Sequence, residues 1–407
     1  MLREHVVMEG HLIDSDILRR AFGRIVEEGG QFEVLEFRVG TSNAEPSYTR
    51  LAVLAPEPET LDRILEGLRY LGASTSVDDA RFAPAEADGI LPDEFYSTTN
   101  FDTFVRISGR WEPVLDQRMD CAIVQRGGSP RCVKQGQVLR GEPVALRGSG
   151  LRVRPLERSR DYSVFGFMSE RISAEVNKGI VIAGVAREMG RARTAGEKIV
   201  AVVGPAVIHS GGDVPLGDLI RNGWIDVLLA GNAFAVHDLE KAILRTSLGV
   251  CQMSGRGVEG GSRNHLFAIN SVNRAGGIAA AVASGLVTSG VMHEAVRARV
   301  PFVLAGSIRD DGPLRDVITD VIEAQKAYAG ALEGAGLCLM LATALHSIAV
   351  GNLLPARVRT VCVDMSESLP IKLSNRGSMQ AIGLVTDVGY FLERLAAELK
   401  AAEPMRP

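Results

Sequence analysis

Six runs rich in aliphatic and β-branched residues dominate the second half of the chain. Segments with helical periodicity separate them. The runs are Ile199–Val203, Ile225–Leu229, Phe302–Ala305, Leu337–Leu341, Val358–Val363 and Ile382–Val385. Such runs, with little polar alternation, are typical of parallel strands that helices cover on both faces of a sheet. The pattern predicts an α/β fold with a Rossmann-like parallel sheet over residues 196–407.

Small or hydrogen-bonding residues follow the predicted strands. Five of these strand ends are Gly204-Pro205-Ala206, Gly231-Asn232-Ala233, Ala342-Thr343, Asp364-Met365-Ser366 and Thr386-Asp387. Right-handed crossovers would bring all the ends to one edge of the sheet. Small residues let a ligand approach the backbone, helix N-termini favour phosphate, and an acid at a strand end suits ribose hydroxyls. We therefore expect a nucleotide-type ligand at this edge.

The sixth strand end lies in the segment Val303–Pro313, VLAGSIRDDGP. Gly306 and Ser307 follow the apolar run, and a charged turn with Arg309, Asp310 and Asp311 comes next. One interpretation is a ligand-binding loop at the carboxyl end of a buried strand. The other is a solvated turn that caps the next helix. The segment alone does not choose between them.

Two further local features give weaker evidence about function. Gly255–Gly260, GRGVEG, matches G-x-G-x-x-G. No convincing strand precedes it, so we expect a flexible loop rather than a dinucleotide fingerprint. Four histidines, His209, His237, His265 and His346, lie near the predicted sheet edge. A lone histidine is more often structural, but four near one edge favour a proton-transfer role for one of them.

The first half of the chain has a different pattern. Residues 1–88 follow the order β-α-β-β-α-β, which is typical of a ferredoxin-like α+β unit. Residues 89–160 contain short β-type runs between glycine-rich turns, which predicts a small β-barrel or sandwich. Residues 161–195 are predicted to form a helical connector. In the β-domain Asp120 lies beside Cys121, for which a buried, unreactive thiol is the competing interpretation.

Composition narrows the class of function. The formal net charge of −4 gives no electrostatic support for binding nucleic acid. The longest apolar stretches, such as 277–292, carry Gly and Ser and are too short for a membrane span. Five cysteines without C-x-x-C spacing favour a reducing cytoplasm, and no Cys/His spacing indicates a metal. The N-terminus does not resemble a signal peptide, so we expect a cytoplasmic protein.

Longer motifs resemble a known family. The residues that carry the resemblance are GHLIDS (10–15), FEVLEFRVG (32–40), DGILPDEFYSTTN (88–100), MDCAIV (119–124), GPAVIHSGG (204–212), LLAGNAFAVHDLE (228–240), TSLGV (246–250), NHLFAIN (264–270), VLAGSIRDDGPLRDV (303–317), MLATALHSIAVGNLLP (340–355), VCVDMSE (361–367) and KLSNRGSMQAIGLVTDVG (372–389). They resemble the conserved-region family named after lysine-oxoglutarate reductase/saccharopine dehydrogenase (LOR/SDH). That family includes archaeal-type ornithine cyclodeaminases, and its last domain is similar to deoxyhypusine synthase.

The resemblance implies a redox-neutral reaction that uses NAD. Hydride leaves the α-carbon of L-ornithine for NAD, the δ-amine attacks the resulting imine, ammonia departs, and hydride returns to give L-proline. Such chemistry needs a base, a dry pocket and an anchor for the substrate carboxylate.

The site residues carried over from the resemblance fall into two sets. The predicted NAD-binding residues are Gly204, Asn232, Ala233, Gly306, Ser307, Arg309, Asp310, Asp311, Thr343, His346, Asp364 and Asp387. The predicted substrate-side residues are Asn100, Asp120 and Cys121, with Asp120 as the hypothetical base or ammonium partner. Arg309 is expected to bind either the pyrophosphate or the substrate carboxylate. The expected partner is a small-molecule amino acid, with no nucleic acid, no membrane and no metal.

Other functions remain open at this point. An opine- or saccharopine-type NAD(P) dehydrogenase would produce a net change in NADH. A non-catalytic sensor of NAD or an amino acid would bind its ligand without turnover. A homo-oligomer is the default for such an enzyme, and either a dimer or a tetramer is expected.

Overall fold

The computed structural model describes residues 1–10, 12–13, 16–40, 45–74, 78–154, 178–247, 250–251, 263–310, 312–375 and 381–402. The chain divides into two compact units. The first comprises Met1–Gly166 and Leu354–Arg357, and the second comprises Phe167–Leu353 and Val358–Pro407. The finer division into 1–88, 89–160, 161–195 and 196–407 stays a prediction.

An α+β layer opens the first unit. Its elements are β1 (Leu2–Gly10), α1 (Ile17–Glu27), β2 (Gln31–Arg38), β3 (Ser47–Ala55) and α2 (Pro58–Arg69). The strands form an antiparallel sheet in the order β1-β3-β2, and Ser74 forms an isolated antiparallel bridge to Val7 of β1. Residues spaced four apart on each helix, such as Ala21 and Ile25, are buried against the sheet. The first five elements follow the predicted order, whereas a bridge at Ser74 is what the described residues show of the predicted closing strand, and the next strand, Phe82–Pro84, pairs in another sheet.

Short antiparallel strands complete the first unit. They are β4 (Phe82–Pro84), β5 (Asp102–Ile107), β6 (Arg110–Pro113), β7 (Ala122–Arg126), β8 (Ser129–Val133), β9 (Pro143–Ala145) and β10 (Leu151–Arg154), with a 3₁₀ turn at Gln135–Gln137. They form two sheets, β10-β5-β6 and β4-β9-β7-β8. One core contains Val105 and Val153 from the first sheet together with Ile123 and Ala145 from the second. The two sheets therefore pack face to face, as in a small sandwich.

The second unit alternates strands and helices. Its strands are β11 (Lys198–Val203), β12 (Val227–Gly231), β13 (Thr246–Ser247), β14 (Val250–Cys251), β15 (Phe302–Ala305), β16 (Val317–Ile318), β17 (Ala335–Leu341), β18 (Arg359–Asp364) and β19 (Ala381–Val385). Its helices are α3 (Lys178–Thr194), α4 (Ala206–His209), α5 (Asp213–Arg221), α6 (Asn232–Leu244), α7 (Asn264–Ala275), α8 (Ile278–Ala283), α9 (Val291–Ala298), α10 (Val321–Ala331), α11 (Ala344–Leu353), α12 (Ser368–Asn375) and α13 (Val388–Ala402).

Seven strands of this unit form one parallel sheet. The order is β16-β15-β12-β11-β17-β18-β19, and every pair is parallel. Each of the six predicted runs overlaps one strand, and the two-residue β16 is an additional edge strand. Without β16, the strands follow the doubly wound order 3-2-1-4-5-6. The fold class, a Rossmann-like parallel sheet preceded by antiparallel sheets, is confirmed, whereas the likeness to deoxyhypusine synthase stays a prediction.

Helices pack in two groups around this sheet. One group contains α3, α5, α6, α9 and α13, and the other contains α10, α11 and α12. Strands β11, β12 and β17 are buried over nearly their whole length because both faces are covered. The carboxyl ends of all the parallel strands therefore meet at one edge. The strand order reverses between β11 and β17, and ligands of such folds bind at the crevice that this reversal creates.

Candidate functional site: the carboxyl edge of the parallel sheet

Gly204 and the turn Ala342-Thr343 lie at the carboxyl ends of β11 and β17, the two strands between which the order reverses. The Gly204 amide donates a hydrogen bond to the Leu341 carbonyl at 2.9 Å. A Cβ atom at position 204 would overlap the carbonyl oxygen of Ala342 and lie 2.9 Å from the Thr343 Cβ. Ala342 itself has a left-handed backbone, with φ of 51°. Only glycine therefore fits at position 204 without moving the neighbouring turn.

His346 reaches across the crevice from α11. Its Nδ1 lies 3.1 Å from the Thr343 hydroxyl. Its ring covers Gly231 at the end of β12, where a Cβ atom would lie 2.6 Å from the imidazole Cε1. Because β12 and β17 flank β11 on opposite sides, His346 spans the point where the strand order reverses. Burial lowers the pKa of His346, with a smaller opposing effect from Asp310, and this favours the neutral imidazole.

Tyr328 supports this arrangement, and no pattern in the sequence indicates its role. Its hydroxyl donates a buried hydrogen bond to the Ala230 carbonyl at 2.7 Å, and its ring centroid lies 6.3 Å from that of His346. Tyr328 belongs to α10, far from Ala230 in sequence. Only the packing of α10 on the sheet brings the two residues together.

The Asn232 side chain is buried and hydrogen-bonds to backbone groups of the same unit. It is 4% exposed. Its Oδ1 accepts a hydrogen bond from the Leu314 amide at 3.1 Å, and its Nδ2 donates to the Gly312 carbonyl at 3.4 Å. The side chain thus ties the start of α6 to the loop after β15. Ala233, the next residue, is exposed in the first turn of α6, whose N-terminus has no side-chain cap and no acidic residue.

The loop after β15 is a closed turn. The Gly306 amide donates to the Ile318 carbonyl at 2.9 Å, which fixes the loop against β16. Asp310 accepts a hydrogen bond from the Ser307 amide at 2.8 Å, and the Ser307 hydroxyl accepts one from the Arg309 amide at 3.2 Å. Arg309 is exposed. Asp311 lies outside the described residues, as does the GRGVEG stretch.

Asp364 and Asp387, two of the predicted NAD-binding residues, lie at the other end of the edge, and their carboxylates accept hydrogen bonds from backbone amides. Asp364 accepts from the Ser366 amide at 2.8 Å, and Asp387 accepts from the Tyr390 amide at 2.9 Å in the first turn of α13. The structure brings Gly204, Thr343 and His346 together at the crevice. It groups Asn232, Gly306, Ser307, Arg309 and Asp310 around the ends of β12 and β15.

The three substrate-side residues lie close together in the first unit, and Thr98 joins the segments that carry them. The Thr98 carbonyl accepts a hydrogen bond from the Asp120 amide at 3.0 Å. The Thr98 hydroxyl donates a hydrogen bond to the Arg118 carbonyl at 2.7 Å and accepts one from the Cys121 amide at 3.1 Å. Asn100, two residues further along, is buried, and its carbonyl accepts from the Ala356 amide at 2.8 Å. The segments around 98–100 and 118–121 are therefore held side by side.

Asp120 and Cys121 have opposite environments. Asp120 is exposed and has a left-handed backbone, with φ of 57°. Cys121 is 2% exposed and packs in the sandwich core. Burial raises the pKa of the Cys121 thiol above its ordinary value, so the thiol stays protonated at neutral pH. Asp120 can meet a ligand from solvent, whereas Cys121 would need its surroundings to open. The catalytic roles of all three residues stay predictions.

Within the described residues, no three His, Cys, Asp or Glu side chains are grouped to hold a metal ion. None of the described helices is long and apolar enough to cross a bilayer.

Fold and edge together define a doubly wound Rossmann-fold protein whose strand order reverses between its first and fourth sequential strands, the position at which such folds bind ligands. Family models cover the chain from residue 3 to residue 395. They are the LOR/SDH bifunctional enzyme conserved region over residues 3–101, the first region of the ArgZ-like arginine dihydrolase C-terminal part over 102–182, and the Rossmann fold of that part over 183–395. The chain belongs to this ArgZ-like family with an LOR/SDH conserved region, which confirms the family predicted from the sequence motifs.

Named relatives are similar over the whole chain. An ornithine cyclodeaminase of Archaeoglobus fulgidus is 48% identical over 404 residues, 99% of each chain. The crystal structure of apo ArgZ, a cyanobacterial arginine dihydrolase, is 38% identical, with a TM-score of 0.83 over 98% of this chain. A ternary complex of AgrE with ornithine and NAD+ is 43% identical, with a TM-score of 0.54 over 98% of this chain. This chain spans 58% of each of these two longer proteins.

Proposed function

We propose that the protein is an NAD-dependent ornithine cyclodeaminase, which converts L-ornithine to L-proline and ammonia. The observation that carries the proposal is the 48% identity with the Archaeoglobus fulgidus ornithine cyclodeaminase over 99% of both chains. A match of this extent includes the substrate-side segments of the first unit as well as the parallel sheet. Fold alone would not support an activity, because Rossmann folds serve many functions.

The carboxyl edge fits a dinucleotide. The N-termini of α6 and α11 open there, and neither helix has an acidic residue in its first turn. Their unpaired amides and dipoles suit the pyrophosphate. Gly204 leaves the end of β11 without a side chain. The chain departs from the usual fingerprint, because Gly204-Pro205-Ala206 replaces a glycine-rich turn and Asn232 replaces an acid after the second strand.

When bound, NAD would accept hydride from the substrate α-carbon and return it later in the reaction. The residues of this chain would bind, orient and exchange protons. His346 lies at the carboxyl edge, where its neutral imidazole would add no positive charge beside the cationic ring of the oxidised cofactor. Exposed Arg309 suits either the pyrophosphate or the substrate carboxylate, because a guanidinium pairs with both. We propose Asp120 as the partner of a substrate ammonium, with Asn100 and Cys121 beside it.

The test is to incubate the pure protein with L-ornithine and NAD and to follow proline, ammonia and NADH. Stoichiometric proline and ammonia without net NADH support the proposal. Net NADH would identify an opine- or saccharopine-type dehydrogenase, and NAD-dependent thermal stabilisation without turnover would identify a sensor.

Asp120→Asn should abolish most turnover and leave NAD affinity intact, because the carboxylate is removed from the substrate side only. Asp116→Asn is the matched control. Asp116 is also exposed with φ of 57°, but its carboxylate pairs with Arg131 at 2.7 Å. Asparagine tolerates the left-handed conformation as aspartate does. Equal losses in both variants would contradict a specific role for Asp120.

We also propose a cytoplasmic location, a role in proline synthesis and a homo-oligomeric state. Buried free thiols at Cys121, Cys132, Cys338 and Cys362 support a reducing compartment. Light scattering of the purified protein tests the oligomeric state, and a monomer at working concentration would refute it.

A further inference from the structure

A chain of polar side chains joins the helices that follow the first two strands of the sheet. We call it the His209 cluster, and it consists of His209, His237, Glu240, Thr246 and Ser247. His209 ends α4, six residues beyond the end of β11 at Val203. His237 lies on α6, six residues beyond the end of β12 at Gly231. Both histidines therefore follow strands that end at the carboxyl edge of the sheet.

Hydrogen bonds connect the cluster. The Ser247 hydroxyl lies 2.8 Å from His209 Nδ1, and His237 Nδ1 lies 3.3 Å from Glu240 Oε2. The two imidazoles meet edge to face, with centroids 5.1 Å apart. Thr246 Oγ1 donates to Glu240 Oε1 at 2.8 Å and accepts from Asn264 Nδ2 at 2.8 Å. The cluster thus connects a surface imidazole to an interior carboxylate.

Burial changes sharply along the cluster. Glu240 is fully buried, and the His237 side chain is 12% exposed, whereas His209 is exposed. A carboxylate without contact with water is costly unless hydrogen bonds or positive charge compensate it. Lys241 is the nearest cation on the same helix, but its ammonium pairs with Asp213 at 2.8 Å. His237 and Thr246 are described hydrogen-bond partners of this carboxylate, which places it next to the two imidazoles.

The electrostatic surroundings of His209 favour its neutral form at neutral pH. Although the residue is exposed overall, partial desolvation of its ring lowers its pKa below the ordinary value; His237 and Lys241 lower the pKa further, while Glu240 opposes them. In the tautomer with hydrogen on Nδ1, the Ser247 hydroxyl accepts that hydrogen and Nε2 carries the lone pair. No described residue hydrogen-bonds to Nε2. One nitrogen is thus held and the other remains available for proton exchange.

We propose that His209 is the proton-transfer group of the carboxyl-edge site, with Ser247, His237 and Glu240 as its positioning residues. The inference rests on the proposed function and deepens it. Ornithine carries two ammonium groups and one carboxylate at neutral pH, and the products are zwitterionic proline and ammonium. Two protons leave before ring closure, one from each ammonium group, and two are taken up again, by the departing ammonia and by the ring nitrogen of proline. Nε2 takes the proton of the α-ammonium and returns it to the departing ammonia, whereas the proton of the δ-ammonium exchanges with water. The positive charge held between these events lies beside the His237–Glu240 pair.

A purely structural role would explain only part of the cluster. The Glu240–Thr246–Asn264 bonds tie α6 to the start of α7 through β13, and they would do so with any residue at position 209. The exposed imidazole adds nothing to that bracing. Replacing it should leave the fold intact, and this separates the two roles.

The experiment compares His209→Ala and His209→Gln with the wild type across the pH range of histidine titration. We expect kcat/KM to fall by about 10²- to 10⁴-fold in both variants. We also expect the limb of the pH profile near the histidine pKa to disappear and NAD affinity to stay unchanged. Added imidazole should restore turnover to His209→Ala, because the vacated position is open to solvent. His293→Gln is the control; its Nδ1 contacts Glu294 at 3.0 Å on α9, and its loss should change nothing.

Ser247→Ala should shift the same pH limb without removing it, as expected for a positioning residue. An unchanged pH profile in the His209 variants of an active enzyme would overturn the inference and leave the proposed function standing. Loss of activity together with NAD affinity, without rescue by imidazole, would also overturn it. A wild-type protein without ornithine turnover would refute both.

Discussion

Gly231→Ala tests the central feature of the crevice, which is the contact between the end of β12 and the imidazole of His346. The added Cβ would lie 2.6 Å from Cε1 and 3.0 Å from Nε2, whereas ordinary van der Waals contact begins at 3.4 Å. The ring must therefore move or the strand end must shift. Overpacking of this kind costs about 1–3 kcal/mol.

The backbone at position 231 does not itself require glycine. Its φ of −93° and ψ of 169° are extended and open to alanine. Without the imidazole, the same substitution should stabilise the protein by about 0.4–1 kcal/mol, because it restricts the unfolded chain. The effect of Gly231→Ala on the free energy of unfolding should therefore change sign when His346→Ala is also present.

The assay is a double-mutant cycle on the stability of the second unit. Trp111→Phe leaves Trp224, buried in that unit, as the single tryptophan, so its fluorescence in urea reports that unit's unfolding. We expect a coupling energy of about 1–4 kcal/mol between positions 231 and 346, the sum of the two opposite effects. Additive effects within about 0.5 kcal/mol would refute the packing of His346 over Gly231.

Three further changes have definite expected outcomes. Asp238→Ala removes the carboxylate that accepts hydrogen bonds from two buried backbone amides at the start of α9, at 2.9 and 2.8 Å. The free energy of unfolding of the second unit should fall by about 2–5 kcal/mol, and a change below about 1 kcal/mol would contradict the capping role. Asn232→Ala leaves the buried Leu314 amide without its acceptor, so the free energy of unfolding should fall by about 1–3 kcal/mol. An unchanged urea midpoint would instead mean that the side chain serves only the cofactor. Because burial lowers the pKa of His346 below its ordinary 6.5, the unfolded chain takes up that proton first as the pH falls. The contribution of the neutral His346 to the free energy of unfolding is therefore complete above about pH 6.5 and is lost below it. In urea titrations at successive pH values, His346→Gln should reduce this loss of stability at acid pH. The same pH dependence in both proteins would contradict the assignment to His346.

The parallel sheet could be predicted from the sequence because strands buried on both faces need continuous apolar runs. That requirement holds whatever the surrounding helices are, and all six runs overlap strands. The edge strand Val317–Ile318 is two residues long and leaves no such pattern. The convergence of the strand ends also followed from general rules of connection.

Side-chain tasks at the edge could not be predicted in the same way. Asn232 sits at a strand end, as a ligand-binding residue would, but its partners are backbone groups 80 and 82 positions away. Asp364 and Asp387 likewise bond amides two and three residues on. A polar residue looks the same in sequence whether its partner is a ligand or a distant backbone amide. Only the folded chain distinguishes the two.

The most direct test of the central claim follows the α-hydrogen of the substrate. L-ornithine deuterated at the α-carbon is incubated with the protein and NAD in ordinary water, and the proline is analysed by mass spectrometry and NMR. If hydride leaves for NAD and returns within one active-site visit, each proline should retain deuterium at its α-carbon, and NADH should not accumulate. Proline without deuterium, or deuterated NADH accumulating in solution, would contradict the account.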